Sequence, residues 1–150
     1  MKIIFGCDHA GYAHKALILD FLKKEKYSVL DFGCDCAESC DYTPIAKKVA
    51  DAVSKGDAER GILICGTGVG MSIAANKFKG VRAACCWADE IASLISKHNM
   101  ANIICLPGRF ADTKDLIKWI KIWIDTPHST EKRHINRIQQ ISEIEKNCCK

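Results

Sequence analysis

Five short apolar runs, each leading into a polar turn and then a helix-like stretch, constrain this 150-residue chain more than any other feature. They cover residues 3–7, 27–32, 61–65, 81–86 and 101–106. Largely apolar runs of this length, continuous at 61–65, suit strands covered on both faces, and their alternation with helices argues for a parallel sheet between two helical layers. The helical stretches fall at 12–24, 44–54, 71–77, 88–98 and 113–124. Ala13, Ala16, Leu17 and Phe21 make one face of the first, and Ile45, Val49, Ala52 and Val53 one face of the second. Thr43 is the expected N-cap of that second helix, with Pro44 in its first turn. A further segment, 130–146, carries Ile135, Ile138, Ile141 and Ile144 at intervals of three, which suits an amphipathic helix. The expected fold is therefore α/β, a Rossmann-like three-layer arrangement with a five-stranded parallel sheet and an extra C-terminal helix, in a single domain over 1–150. Right-handed crossovers favour a doubly wound topology, whose site lies at the carboxyl ends of the strands.

Polar residues gather where that rule puts a site. The first strand runs into Asp8 and His9, the third into Cys65 and the segment 66–70, and the fifth towards Arg109, while His98 and Asn99 end the fourth helix. Taken alone, the glycines at 66, 68 and 70 read as a tight strand-to-helix turn or as a cradle whose backbone N–H groups converge on an anion. No Lys-Ser/Thr pair follows Gly70, so it is not a Walker A loop. A dinucleotide fingerprint belongs after the first strand, so a nucleotide-binding reading with Asp35 on the ribose fits poorly. Cys65 either fills the core at a strand end or, beside those N–H groups, is a thiolate with electrostatic support next to an oxyanion site. Arg133 and Arg137 share a helix face, which is either solvated or a two-pronged phosphate clamp with His134 as a further donor.

The formal charge of +4, from 22 basic and 18 acidic residues, is scattered and gives no grounds for nucleic-acid binding. No apolar stretch approaches the ~20 residues that cross a bilayer, and residues 1–5 are too short for the apolar part of a signal peptide. The expectation is a cytoplasmic chain with neither membrane nor nucleic-acid partners. Its ten cysteines are then expected to be reduced. Cys34, Cys36 and Cys40 cluster, and Cys148 and Cys149 are adjacent, but spacing supplies no four-ligand zinc set, and no metal is expected.

Several blocks together carry a resemblance: Gly6-Cys7-Asp8-His9-Ala10-Gly11, Asp41-Tyr42, the run GILICGTGVGMSIAANK at 61–77, His98-Asn99, and Arg133-His134 through Arg137. In these the chain resembles the ribose-5-phosphate isomerase B type, within the group that also holds galactose-6-phosphate isomerases. The resemblance spans essentially the whole chain. It implies exchange of an aldose phosphate with a ketose phosphate, with no metal or organic cofactor. On this chain it implies Cys65 as the base between C1 and C2, and the N–H groups around Gly66, Gly68 and Gly70 as the enediolate cradle. His98, with Asp8 and Thr67, would open the furanose ring, while Asn99 and Tyr42 orient the sugar. His9, Arg109, Arg133, His134 and Arg137 would bind the phosphate. It further implies a homodimer or dimer of dimers, with site residues from the neighbour; which of His98, Arg109, Arg133 and Arg137 those are stays open. Trp119 and Trp123 are either interface anchors or core. A six-carbon aldose 6-phosphate of the allose or galactose type is an alternative substrate, and a non-catalytic sugar-phosphate-binding subunit an alternative role.

Overall fold

A computed structural model describes residues 1–148. Its strands are β1 (Lys2–Cys7), β2 (Ser28–Asp31), β3 (Arg60–Cys65), β4 (Ala83–Cys85) and β5 (Ile103–Pro107), and its helices α1 (Tyr12–Lys24), α2 (Tyr42–Ser54), α3 (Val69–Ala75), α4 (Asp89–Lys97), α5 (Thr113–Asp125) and α6 (Lys132–Cys148). All pairings are parallel, in the order β2-β1-β3-β5-β4. The expected α/β class, strand number and extra C-terminal helix are all present.

Strand side chains alternate between the faces, and two apolar cores follow from that period of two. Ile3, Phe5, Ile62, Ile64, Ile104 and Leu106 face α1, α4 and α5. Ile4, Leu63, Cys65, Ile103 and Cys105 face α2 and α3. Cys65 thus ends β3 on the side covered by the two helices that follow the loops around it.

Some details differ from expectation, and others settle what it left open. α2 begins at Tyr42 after an extended Asp41, not after Thr43; Pro44 lacks only an N–H that the first turn leaves unpaired anyway, so the helix starts ahead of it. Trp119 and Trp123, for which both interface and core were open, are core: both are buried, with indole N–H groups donating to Asp89 Oδ1 and the Ala101 carbonyl. The isoleucine stripe of α6 is not covered within the chain, since Ile141 and Ile144 are 46% and 63% exposed. Finally, the cysteines are not all reduced, because Cys34 and Cys40 form a disulfide. The loop between β2 and α2 folds back, bringing its two ends together, and no sequence spacing reveals that. Cys36 and Cys148 are free and exposed; Cys149 lies outside the described residues.

Candidate active site

β3 delivers Cys65 to the floor of a cleft at the carboxyl edge of the sheet. The side chain is only 4% exposed, and its Sγ accepts a hydrogen bond from the Gly68 N–H at 3.2 Å. That contact needs the chain to reverse within three residues. Gly68 does so at φ +78°, in the left-handed region, with a would-be Cβ 3.0 Å from the Cys105 carbonyl oxygen. Thr67 is exposed at the turn, where its Oγ1 accepts the Val69 N–H. α3 starts at Val69, earlier than expected, so Gly70 stands in its first turn with an N–H that has no intrahelical partner.

The loop after β5 closes the floor. Gly108 N–H donates to the Cys65 carbonyl and Arg109 N–H to that of Gly66, which lays the Arg109 side chain against Gly66. His14 holds this loop from α1: its Nε2 faces the Gly108 carbonyl at 2.9 Å and so carries the proton, leaving Nδ1 to accept from the Thr113 hydroxyl at 2.7 Å. Sequence reasoning missed His14, because nothing local marks a contact spanning 94 residues. The cleft holds about 400 Å³ and is lined by Asp8, Tyr42, Cys65, Thr67, Ile73 and Arg109 among others. Asp8 is buried, with Oδ1 accepting the Ala10 N–H.

His9 stands between two donors. Its Nδ1 faces the Cys40 N–H at 3.4 Å and its Nε2 faces Arg109 Nη2 at 3.3 Å. A neutral imidazole has one acceptor nitrogen, so one of its ring N–H groups meets another donor. An anion bridging Nε2–H and the guanidinium removes that conflict, and such pairs bind phosphate well. Three buried thiols lie outside the cleft. Burial pushes Cys7 up to about 12 and Cys86 to about 11, and raises Cys105 well above the usual thiol value. Such thiols stay protonated and act as small apolar side chains.

The remaining predicted residues lie elsewhere. α4 runs back against the strands, so His98 caps it beside their amino ends; the next two carbonyls, of Asn99 and Met100, accept from Arg82, just before β4. β3 alone separates its two ends by about 16 Å at ~3.3 Å per residue. His134, at the start of α6, is buried against His98, and Arg133 and Arg137 are exposed beside it. One chain therefore holds two separate clusters of the expected residues: Cys65, Asp8, His9, Thr67, Tyr42 and Arg109 in one, and His98, Asn99, Arg133, His134 and Arg137 in the other.

The sequence pattern of the Ribose/Galactose Isomerase family matches residues 3–141. The chain belongs to that family. Ribose-5-phosphate isomerase B of Escherichia coli is 40% identical over 144 residues, 96% of each protein. Among solved structures, Clostridium thermocellum ribose-5-phosphate isomerase B is 46% identical with a TM-score of 0.93, covering 98% of this chain and 99% of the other. That of Mycoplasma genitalium, solved with bound ribulose-5-phosphate, is 39% identical with a TM-score of 0.92 over 97% and 96%. The family match takes in both clusters of this isomerase chain, the cleft around Cys65 and the start of α6 with its arginines. Among the described residues no group of three or more His, Cys, Asp or Glu is placed to hold a metal, and no helix is long and apolar enough to cross a membrane.

Proposed function

We propose that the chain interconverts ribose 5-phosphate and ribulose 5-phosphate through an enediolate, with the Cys65 thiolate as base. The observation that carries this reading is the Gly68 N–H on Cys65 Sγ at the floor of the cleft. The Gly68 N–H is aimed at the sulfur, and the Gly70 N–H, in the first turn of α3, has no intrahelical partner and is available where charge develops on oxygen. The thiolate takes the C2 proton of the open aldose; the C2–H electrons form the C1–C2 double bond, and the carbonyl oxygen becomes the enediolate oxygen. Moving the hydroxyl proton from O2 to O1 and returning the Cys65 proton to C1 yields the ketose. His9 and Arg109 bind the phosphate, away from the reacting carbons, and Tyr42 orients the sugar.

Ring opening needs an acid–base group, assigned here to His98 with Asp8 and Thr67 assisting, and Asn99, Arg133 and Arg137 complete the hold on the substrate. His98, Asn99, Arg133 and Arg137 come from a second copy of the chain, facing the first across a two-fold axis. Two features support this reading: the sheet separates the two clusters of one chain, and apolar groups stand exposed beside each. Val69 and Ile73 line the cleft, Trp87 and Phe110 are 62% and 75% exposed, and Ile141 and Ile144 border a groove of about 540 Å³ that also includes Asn99. Isologous pairing covers such patches in both copies at once.

The test is turnover of ribose 5-phosphate against allose 6-phosphate and galactose 6-phosphate by the purified chain. The expected result is preference for the five-carbon sugar, with kcat about 10²- to 10⁴-fold lower in Cys65→Ala. Undiminished turnover in that variant removes Cys65 as the base.

A further inference from the structure

We propose that His134 is a positioning residue: its ring, stacked flat on that of His98, sets the plane in which the His98 imidazole exchanges protons with the sugar. The centroids lie 4.0 Å apart and the planes differ by 7°. The proposal rests on the assignment of His98 to ring opening.

Three observations carry it. First, α6 turns its residues to different tasks. Arg133 and Arg137 point to solvent, whereas His134 is 3% exposed, the one buried side chain of that helix. A phosphate ligand must reach the phosphate, and a ring enclosed at this depth does not.

Second, both His134 ring nitrogens are buried without a hydrogen-bond partner. The nearest carboxylate oxygen, Oε2 of Glu131, stands 3.9 Å from Nε2, beyond hydrogen-bond range. Buried polar atoms are nearly always paired, so an unpaired imidazole here calls for a role in which its face matters more than its nitrogens. Burial, followed by the charges of His98 and Arg133, pushes the His134 pKa below the usual histidine value, so this face is a neutral one.

Third, the stack is not supplemented by any hydrogen bond to the His98 ring among the described residues. The His98 backbone N–H caps α4 by donating to the Leu94 carbonyl. A hydrogen bond from the protein would fix the ring but occupy one of its two proton sites. Stacking fixes the plane and leaves both nitrogens free for the substrate. When His98 becomes imidazolium, a neutral aromatic face beside it also suits the charge.

The test measures kcat and KM for ribose 5-phosphate in full-length His134→Phe, His134→Leu and His98→Ala variants. Phe keeps a flat ring and removes both nitrogens, whereas Leu fills the space without a plane. The expected result is kcat within about threefold of the unmodified chain for Phe and about 10- to 100-fold lower for Leu, with KM moving less than about twofold in either. Phe and Leu variants that both raise KM about tenfold at unchanged kcat would make His134 a phosphate ligand and overturn the proposal. Equal kcat in all His134 forms overturns it as well. His98→Ala separates the two levels: undiminished kcat there removes the assignment on which the proposal rests, whatever the His134 variants do.

Discussion

The phenol ring of Tyr42 fills the space that a side chain at Gly70 would need, so that a Cβ there would lie 2.6 Å from the ring Cζ. Tyr42 is part-exposed and can swing aside, while Gly70 lies in the first turn of α3. Gly70→Ala should therefore keep or slightly raise the melting temperature, because alanine suits a helix better by ~0.8–1 kcal/mol. Its cost appears in binding: KM for ribose 5-phosphate rises about tenfold, or ~1.4 kcal/mol, as Tyr42 leaves its place over the cleft. Steady-state kinetics with a thermal melt check both halves.

Gly68→Ala should behave in the opposite way. The backbone at φ +78° costs a non-glycine residue ~1–2 kcal/mol, and the added Cβ meets a backbone carbonyl that has little freedom to move. Urea unfolding should show at least that loss, and kcat should fall with it as the N–H turns away from Cys65 Sγ.

Mixing chains tests whether two copies share a site. Cys65→Ala and His98→Ala are each expected to be inactive alone. Coexpressed, they form mixed dimers in which one of the two sites is intact, so activity should return to about a quarter of the unmodified level. No recovery, with mixed dimers demonstrated by mass spectrometry, would place both residues in one chain's site.

His134 also predicts a pH dependence of stability. Burial foremost holds its folded pKa below the ordinary histidine value, with His98, Arg133 and Arg137 also disfavouring its proton and Glu131 favouring it. The unfolded chain then binds the proton more readily, so stability holds above about pH 6.5 and falls as the pH drops from there towards the lowered folded value. Denaturant unfolding at pH 7.5 and 5.5 should show a smaller loss in His134→Phe than in the unmodified chain.

The Cys34–Cys40 disulfide closes a loop of seven residues, anchored at one end by Cys34 N–H on the Cys7 carbonyl and at the other by Cys40 N–H on His9. By chain entropy it contributes at most about 2 kcal/mol. Reduction by a dithiol should lower stability by up to that amount and raise KM, because His9 loses the donor that fixes its ring. A Cys36→Ser variant should respond identically.

Much of this was legible in the residues. Runs such as 61–65 and 103–106 are apolar throughout because strands covered on both faces have no polar side, and that announces a parallel sheet. The cleft was legible too, since the strand ends of such a sheet place Asp8, Cys65 and Arg109 together. His14, Trp119 and the Cys34–Cys40 pair were not, because each is defined by a partner that the local pattern does not mark. α6 was only partly legible, for a related reason. Its isoleucines read as the apolar side of an amphipathic helix without saying what covers it, and Ile141 and Ile144 stay exposed within the chain.

By itself the sequence determined the layers, the site edge and the Cys65 loop, because alternation, glycine conformation and strand ends act over a few neighbouring residues. Only the tertiary structure decided that His98 stands at the far end of the sheet from Cys65, and that His134 faces His98 rather than solvent. Those facts depend on the direction in which α4 returns and on how α6 is rotated about its axis, and both are settled by packing between elements distant in the chain.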